Sequence, residues 1–223
     1  MSVKEITLPK YTLGQELWNS ISHGLGALFA LIAGPFLIIK AALTNDVINI
    51  AAVSFYIFSM LVLYVGSCLY HALARNDGKR VFRVLDHDNV FLLIMGSYTP
   101  YCLIALRNPA DGFPWGYVIL GLVWGLCILG IVLNSINIHK YKVICMVVYV
   151  AMGSAIVTAF YPLWFAIGPA GVFTLLGSGV LYWIGAMLYG LGAKKSAWWH
   201  TVFHFFVLAA TILMFFSIYC FVL

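Results

Sequence analysis

The sequence predicts an all-α integral membrane protein, a bundle of seven transmembrane helices. Of its 223 residues, 64% are hydrophobic and only 9% are charged, whereas about 25% of the residues in a soluble globular domain are charged. Its apolar runs are continuous and long enough to cross about 30 Å of hydrocarbon, which takes about 20 residues of helix. They do not alternate as the strands of a membrane barrel do, so helices must satisfy the backbone hydrogen bonds.

Short polar connections divide the apolar sequence into the seven predicted helices. The fifth and sixth are separated only by Pro162, Gly168 and Pro169, which are residues that interrupt helices. Since no connection has room for a soluble domain, we predict a short cytoplasmic segment, residues 1-16, and a single membrane domain, residues 17-223. The helices are predicted near residues 17-39, 47-74, 84-106, 114-134, 142-162, 168-191 and 198-222.

The distribution of basic residues predicts the orientation of the chain. Only Lys40 and Arg107 lie at the ends of the helices opposite to the N-terminus. Because cytoplasmic loops carry the excess of Lys and Arg, the N-terminus is predicted in the cytoplasm and the C-terminus outside. The basic residues lack the aromatic interleaving typical of nucleic-acid binding, so no nucleic-acid partner is predicted. The residues on the cytoplasmic side are Lys4, Lys10, Arg75, Lys79, Arg80, Arg83, Lys140, Lys142, Lys194 and Lys195.

Several polar residues inside the predicted helices are expected at one depth in the membrane. Ser67 and His71 lie four residues apart near the end of helix two, and Asp86 lies near the start of helix three. His200 and His204 lie four residues apart near the start of helix seven. At 1.5 Å per residue from the flanking basic side chains, His71 and Asp86 lie roughly 5 to 6 Å from the cytoplasmic boundary, and the two helix-seven histidines roughly 9 to 15 Å. Three distant segments therefore bring ionisable groups to one layer, where each needs a partner or a role.

Three imidazoles in an apolar layer are typical ligands of a catalytic zinc ion, which takes three protein ligands plus a water. We predict one Zn²⁺ on His71, His200 and His204. Zinc lowers the pKa of its water to about 7. Asp86 is then the predicted catalytic carboxylate, which orients the water or accepts its proton. Ser67 is the second predicted catalytic residue, which binds a ligand or polarises a substrate carbonyl.

Each of these motifs also has a simpler structural interpretation. Two histidines four residues apart on an apolar helix can form interhelical hydrogen bonds instead of binding a metal. A membrane serine such as Ser67 can donate to the carbonyl four residues earlier. Asp86 and Asp88 can complement the helix dipole and the adjacent arginines.

Helix one contributes a polar face that enters the membrane from the same side. Glu16, Asn19 and His23 recur at positions i, i+3 and i+7 of "ELWNSISHG" and therefore line one side of the helix. We predict that they form, with Asp88, a second shell around the histidine site. The alternative is an N-terminal anchor with one satisfied core histidine.

Four segments together resemble the progestin and adipoQ receptor family, and specifically its bacterial hemolysin III branch. The segments are "ELWNSISHG" in helix one, "SCLYH" in helix two, "LDHDNVFLLIMGS" in helix three and "HTVFH" in helix seven. The resemblance spans nearly the whole chain. It implies a seven-helix bundle with a cytoplasmic N-terminus, in the bacterial inner (plasma) membrane, with zinc in the inner leaflet.

The resemblance also implies roles for individual residues. The three histidine ligands fall on His71, His200 and His204, the aspartate that touches the water of the metal falls on Asp86, and the nearby serine falls on Ser67. Asp88 and His87 are alternatives for the role of Asp86. The wider superfamily includes alkaline ceramidases, whereas the long cytoplasmic N-terminal region of the animal receptors is missing here, which argues against a hormone receptor.

Two functions of different classes follow. The preferred one is a zinc-dependent intramembrane hydrolase of lipid amide or ester bonds, similar to a ceramidase, with membrane lipids as substrates presented in part by Arg75, Lys79, Arg80 and Arg83. The alternative is a non-enzymatic protein of membrane homeostasis or cytolysis with a structural zinc. A proton relay or transporter is disfavoured because the ionisable residues do not continue towards the outer face. The sequence is compatible with a homo-oligomer.

Overall fold

The computed structural model describes residues 1–109, 111–192 and 195–223, and every regular element within these ranges is helical. Lys194, one of the residues used to predict the orientation, lies outside the described residues. The elements are a 3-10 turn at Val3–Glu5 and the helices α1 (Leu13–Ala42), α2 (Val47–Ala72), α3 (Asp77–Pro100), α4 (Trp115–Ile136), α5 (Lys142–Ser154), α6 (Phe160–Gly192) and α7 (Trp198–Ser217). Short π-helical turns, Tyr101–Ala105 and Ile218–Val222, extend α3 and α7.

The prediction of seven separate helices is corrected, because α5 and α6 are continuous. A 3-10 turn at Ala155–Ala159 joins them into one helical run, so the described chain forms six helical segments, of which this one is kinked at Gly168. Pro162 lies in the first turn of α6 and does not end the run. The non-helical residue is Gly168, with φ 69° and ψ 171°, a conformation that glycine adopts without steric cost. Pro169 follows, and its fixed φ suits the start of the next helical stretch.

Two helices begin earlier than their apolar runs because polar residues cap them. Thr12 accepts a hydrogen bond from the Gln15 amide at 3.3 Å, and the Gln15 side chain accepts one from the Thr12 amide at 2.9 Å. This capping box starts α1 at Leu13 instead of residue 17. The Asn76 side chain accepts from the Lys79 amide at 2.9 Å and starts α3 at Asp77 instead of residue 84.

The helices pack largely in chain order and close into a ring. Consecutive helices are neighbours, with extensive packing of α1 on α2, α2 on α3 and α6 on α7. The ring is closed by α1, which packs against α7. Because α1 packs against both α2 and α7, it holds the end of α2 close to the start of α7.

The distribution of polar and apolar side chains is that of a multi-pass membrane protein. Five segments are long and apolar enough to cross a membrane: α1, α2, α4, the run Lys142–Gly192 and Trp198–Val222. Large apolar side chains such as Leu31, Ile32 and Phe36 of α1 are exposed, whereas His23 and Asn19 of the same helix are buried. Polar groups that face inward while apolar groups face outward indicate a surface in contact with hydrocarbon.

The N-terminal segment crosses the end of the bundle where α2 ends and α7 begins, which we call the histidine end. Arg75 donates to the carbonyl oxygens of Pro9, at 2.6 Å, and Leu8, at 3.2 Å. Arg80 donates to the Ile6 carbonyl at 3.1 Å, and Ile6 is buried. These two arginines therefore bind the N-terminal segment.

Candidate metal centre

Three histidines from two helices meet at the histidine end of the bundle. His71 lies in the last turn of α2, and His200 and His204 lie in the first two turns of α7. The Nε2 atom of His200 is 3.3 Å from Nε2 of His71 and 3.1 Å from Nε2 of His204. All three side chains are buried, and their ligand atoms are close enough together to bind one metal ion.

The spacing of the Nε2 atoms fits a tetrahedral ion. With zinc–nitrogen bonds of about 2.0 to 2.1 Å, two ligands of a tetrahedral site are separated by about 3.3 Å. Hydrogen bonding does not account for the cluster equally well, since a neutral imidazole carries only one N–H. When the protons of His71 and His204 are on Nδ1, their Nε2 lone pairs both face the Nε2 atom of His200. Lone pairs that face one another repel. A cation bound by the three Nε2 lone pairs removes this repulsion.

The Nδ1 atoms of two of the histidines face acceptors that hold their protons. The His71 Nδ1–H donates to the Glu16 carboxylate at 2.7 Å. His204 Nδ1 lies 3.3 Å from the Asn19 carbonyl oxygen and 3.3 Å from the Ser22 hydroxyl. Acceptors at Nδ1 select the tautomer whose Nε2 lone pair is free, and they fix the direction of the ring.

The ring of His200 is held by aromatic contacts. Tyr11 stacks on it at a centroid distance of 5.4 Å and an interplanar angle of 18°, and Tyr189 packs at 5.3 Å. Burial raises the pKa of the Tyr11 hydroxyl, and the nearby Tyr189, Tyr70 and Asp86 raise it further. Tyr11 is therefore a neutral cover over the site.

Glu16 is bound on both oxygens, because Lys79 occupies the one that His71 does not. Lys79 is only 2% exposed, and its Nζ lies 2.7 Å from Glu16 Oε1. It also donates to the carbonyls of Leu73, at 3.0 Å, and His71, at 3.4 Å, which are unpaired at the end of α2. The sequence pattern does not predict this role of Lys79, which was expected to help present lipid. The available signal was the Asn76 cap, which starts α3 at Asp77 and places Lys79 in its first turn, beside the end of α2.

Asn19 and His23 of α1 contact the histidine cluster. The Asn19 Oδ1 accepts from the Thr201 hydroxyl at 2.6 Å, and its Nδ2 is 3.5 Å from His71 Nδ1. The His23 ring is nearly parallel to His204, at 3.6 Å and 13°. Imidazole lone pairs lie in the ring plane, so two parallel rings at this separation cannot direct them at the same ion. His23 therefore supports His204 by packing and is not a fourth ligand.

Asp86 and Ser67 are buried without protein partners among the described residues. Asp86 is 8% exposed and makes neither an ion pair nor a hydrogen bond there, and it is not one of the three clustered ligands. The Ser67 Oγ has no hydrogen-bond partner, whereas Ser59 and Ser97 donate to carbonyls one turn earlier in their helices. Because α3 starts at Asp77, Asp86 lies beyond the first turn, to which the helix dipole effect is confined.

Asp88 lies against α4 and not beside the histidines, which corrects its predicted place in the second shell. Its carboxylate accepts from Asn134 Nδ2 at 2.8 Å and from the Ser135 hydroxyl at 2.9 Å. Both oxygens are thereby committed to holding α3 against α4. The carbonyl of His87 accepts from the Tyr149 hydroxyl at 2.7 Å.

The chain is thus a helical multi-pass membrane protein with a buried three-histidine cluster. It belongs to the haemolysin-III-related family, whose sequence model matches residues 11–215. It is 33% identical to the hemolysin-3 homolog of Bacillus subtilis (strain 168) over 212 aligned residues, and the alignment covers 94% of this chain and 96% of that protein. It is 34% identical to hemolysin-3 of Bacillus cereus over 209 aligned residues, and the alignment covers 94% of this chain and 92% of that protein. The resemblance predicted from the four segments is confirmed.

The contact between Glu16 and His71 provides a test of the site. In Glu16→Gln the side chain still reaches His71 but carries no charge, and the Lys79 ammonium loses its buried counter-charge. We expect the affinity for zinc to fall about 10- to 100-fold, as for other partners of metal-bound histidines. Competition with a chromophoric chelator measures the affinity. Glu5→Gln, which removes the same charge from the N-terminal segment, should leave it unchanged; equal losses in both variants would contradict a specific role of Glu16.

Proposed function

We propose that this chain is a zinc-dependent hydrolase that cleaves amide or ester bonds of membrane lipids within the inner leaflet, as a ceramidase does. The carrying observation is the convergence of the Nε2 atoms of His71, His200 and His204, with the Nδ1 atoms of His71 and His204 facing acceptors. Three histidines leave one tetrahedral position for water, which distinguishes catalytic from closed structural zinc sites.

The proposal includes seven membrane crossings, with the N-terminus in the cytoplasm. The run Lys142–Gly192 has 51 residues, and a straight helix of that length measures about 76 Å, more than twice the thickness of the hydrocarbon core. We infer that it crosses twice, with Gly168 at the turn. Seven crossings then require that α3, which is less apolar than the other five segments, also spans the membrane. The excess of basic residues at the histidine end supports a cytoplasmic location for that end, and in a bacterium the histidines would then lie in the inner leaflet of the plasma membrane.

The residues of the chain divide the chemistry among them. His71, His200 and His204 hold the zinc, which supplies a water of lowered pKa and a Lewis acid for a carbonyl oxygen. Asp86, which has no hydrogen-bond partner within the described ranges, accepts a proton from the attacking water and returns it to the leaving amine or alkoxide. The free Ser67 hydroxyl donates a hydrogen bond to the carbonyl oxygen as negative charge develops there. The products are a fatty acid and an amine or an alcohol.

Metal analysis and lipid hydrolysis on the purified full chain test the proposal together. We expect about one zinc per chain, the number that one three-histidine site holds. We also expect release of fatty acid from at least one member of a panel of ceramides, N-acyl lipids and glycerol esters. Chelation should stop the release, and added zinc should restore it. Protein without zinc would refute the proposal, and zinc-loaded protein that releases no fatty acid would leave only the structural zinc.

A second candidate function is lysis of host membranes, which is favoured by the name hemolysin-3 of the Bacillus cereus relative. Under the proposed function, lysis follows from altered lipids, so it requires the metal site. Erythrocyte lysis that persists when His71 and Asp86 are both replaced by alanine would separate lysis from the metal chemistry.

A further inference from the structure

Four basic side chains lie where α2 ends and α3 begins, and three of them have protein partners. Arg75 and Arg80 bind carbonyls of the N-terminal segment, and Arg80 also pairs with Asp77 at 2.7 Å. Lys79 pairs with Glu16. The remaining one is Arg83, which forms no ion pair with any carboxylate of the described residues.

Arg83 is half-buried, and two of its guanidinium nitrogens, Nε and Nη1, are buried without a hydrogen-bond partner in the described part of the chain. A buried donor without a partner is costly, and the cost is larger for a charged group. Arg83 precedes Asp86 by three residues in α3, so the two lie on one face of the helix. The unsatisfied guanidinium therefore lies on the same side of α3 as the proposed catalytic carboxylate.

The surroundings of Arg83 favour a negatively charged ligand. Lys142, at the start of α5, is exposed and forms no ion pair with the described residues. Partial burial lowers the pKa of His139, and the positive charges of Arg83 and Lys142 lower it further. Two cations thus act on one histidine beside Arg83, and neither forms an ion pair with a carboxylate of the described residues.

We propose that Arg83 binds the oxyanion of an amphiphile at the mouth of the histidine site. The planar guanidinium matches both a lipid headgroup phosphate and the carboxylate of a fatty acid, because either can accept two of its hydrogen bonds. The outer faces of the helices carry exposed apolar side chains, against which an acyl chain packs in the bilayer. This inference extends the proposed function to its substrate class, and it rests on that function for the entry of lipid into the site.

The test measures binding of three probes to the zinc-loaded full chain in a nonionic detergent. The probes are oleate, a short-chain phosphatidylglycerol and the uncharged monoolein, each titrated against the wild type and against Arg83→Gln and Arg83→Lys. We expect Arg83→Gln to weaken one or both anionic probes about tenfold, the effect of losing a charge-assisted hydrogen bond. Arg83→Lys, which keeps the charge but not the fork, should weaken them less. Monoolein should bind all variants equally.

Arg80→Gln is the matched control, because it removes the same charge from the same helix at a residue that already has partners. The affinity of Arg80→Gln for the anionic probes should stay within about twofold of the wild type, because Arg80 is already paired with Asp77 and the Ile6 carbonyl. Loss for oleate alone assigns Arg83 to the fatty acid, and loss for phosphatidylglycerol alone assigns it to the headgroup. Equal binding by wild type and Arg83→Gln, or equal losses in Arg80→Gln and Arg83→Gln, would overturn the proposal.

Two further measurements separate this inference from the proposed function and from a structural role. Zinc content should be unchanged in Arg83→Gln, because Arg83 is not a proposed ligand. If the wild type lacks zinc, the hydrolase is refuted, whereas the binding of anions by Arg83 is judged from the titrations alone. The melting temperature of Arg83→Gln should equal or exceed that of the wild type, because an unpaired half-buried charge is removed. A lower melting temperature, combined with unchanged affinity, would assign Arg83 to the fold.

Discussion

The His204→Ala variant is expected to purify with almost no zinc, whereas the wild type retains about one equivalent. Two histidines remain in the variant, but the ion loses one of three protein ligands, and His200 loses the neighbour whose Nε2 atom lies 3.1 Å from its own. A zinc ion with only two protein ligands lacks the three-ligand set of known catalytic sites. Metal analysis of the purified protein after dialysis against a weak chelator measures the loss.

The control for this experiment is His139→Ala, which removes an exposed imidazole from the same end of the bundle. If zinc were bound adventitiously by histidines at the surface, both variants would lose it alike. We expect His139→Ala to keep its full content of zinc. Undiminished zinc in His204→Ala would remove His204 from the ligand set and with it the proposed site.

Membrane depth explains why the histidine cluster could be predicted from the sequence. A helix that must cross the bilayer fixes the depth of each residue from the nearest polar flank. His71, His200 and His204 therefore had to lie in one layer, although residues 71 and 200 are far apart in the sequence. The lateral neighbours in that layer depend on the order of the helices, and the structure supplies this order by packing α1 between α2 and α7.

Rotation of a helix about its own axis is not fixed by depth, and this limits what the sequence predicts for α3. Asp86 and Asp88 are two residues apart, so at about 100° per residue they lie on nearly opposite sides of the helix. Both lie at similar depth, and the sequence left the choice between them open. The contacts of Asp88 with Asn134 and Ser135 place it towards α4.

The partners of the charged residues near the helix ends could not be predicted from the sequence. The topology rule counts Lys79, Arg75 and Arg80 by side of the membrane and gives no information on their partners. Lys79 is buried because α3 begins at Asp77, which places it in the first turn, beside the free carbonyls of α2 and the carboxylate of Glu16. Predicting this contact would have required the Asn76 cap, a polar signal upstream of the apolar run.

The second large effect is expected for Asp86→Asn, which should retain zinc but lose most hydrolysis. Asparagine keeps the size of the side chain and cannot accept the proton of the attacking water. General base catalysis contributes about 10²- to 10⁴-fold, and we expect the rate of fatty acid release to fall by this factor. The variant should fold normally, because the Asp86 carboxylate makes no hydrogen bond within the described chain that asparagine could break.

Asp88→Asn is the matched control, because it makes the same change two residues further along α3. This variant should keep its zinc and most of its activity but melt at a lower temperature, since the amide cannot accept hydrogen bonds at both positions now bound by Asn134 and Ser135. The two variants thus separate loss of chemistry from loss of packing. The opposite pattern, with hydrolysis lost in Asp88→Asn and retained in Asp86→Asn, would transfer the role of base to Asp88 and require that α3 rotate to bring it to the histidines.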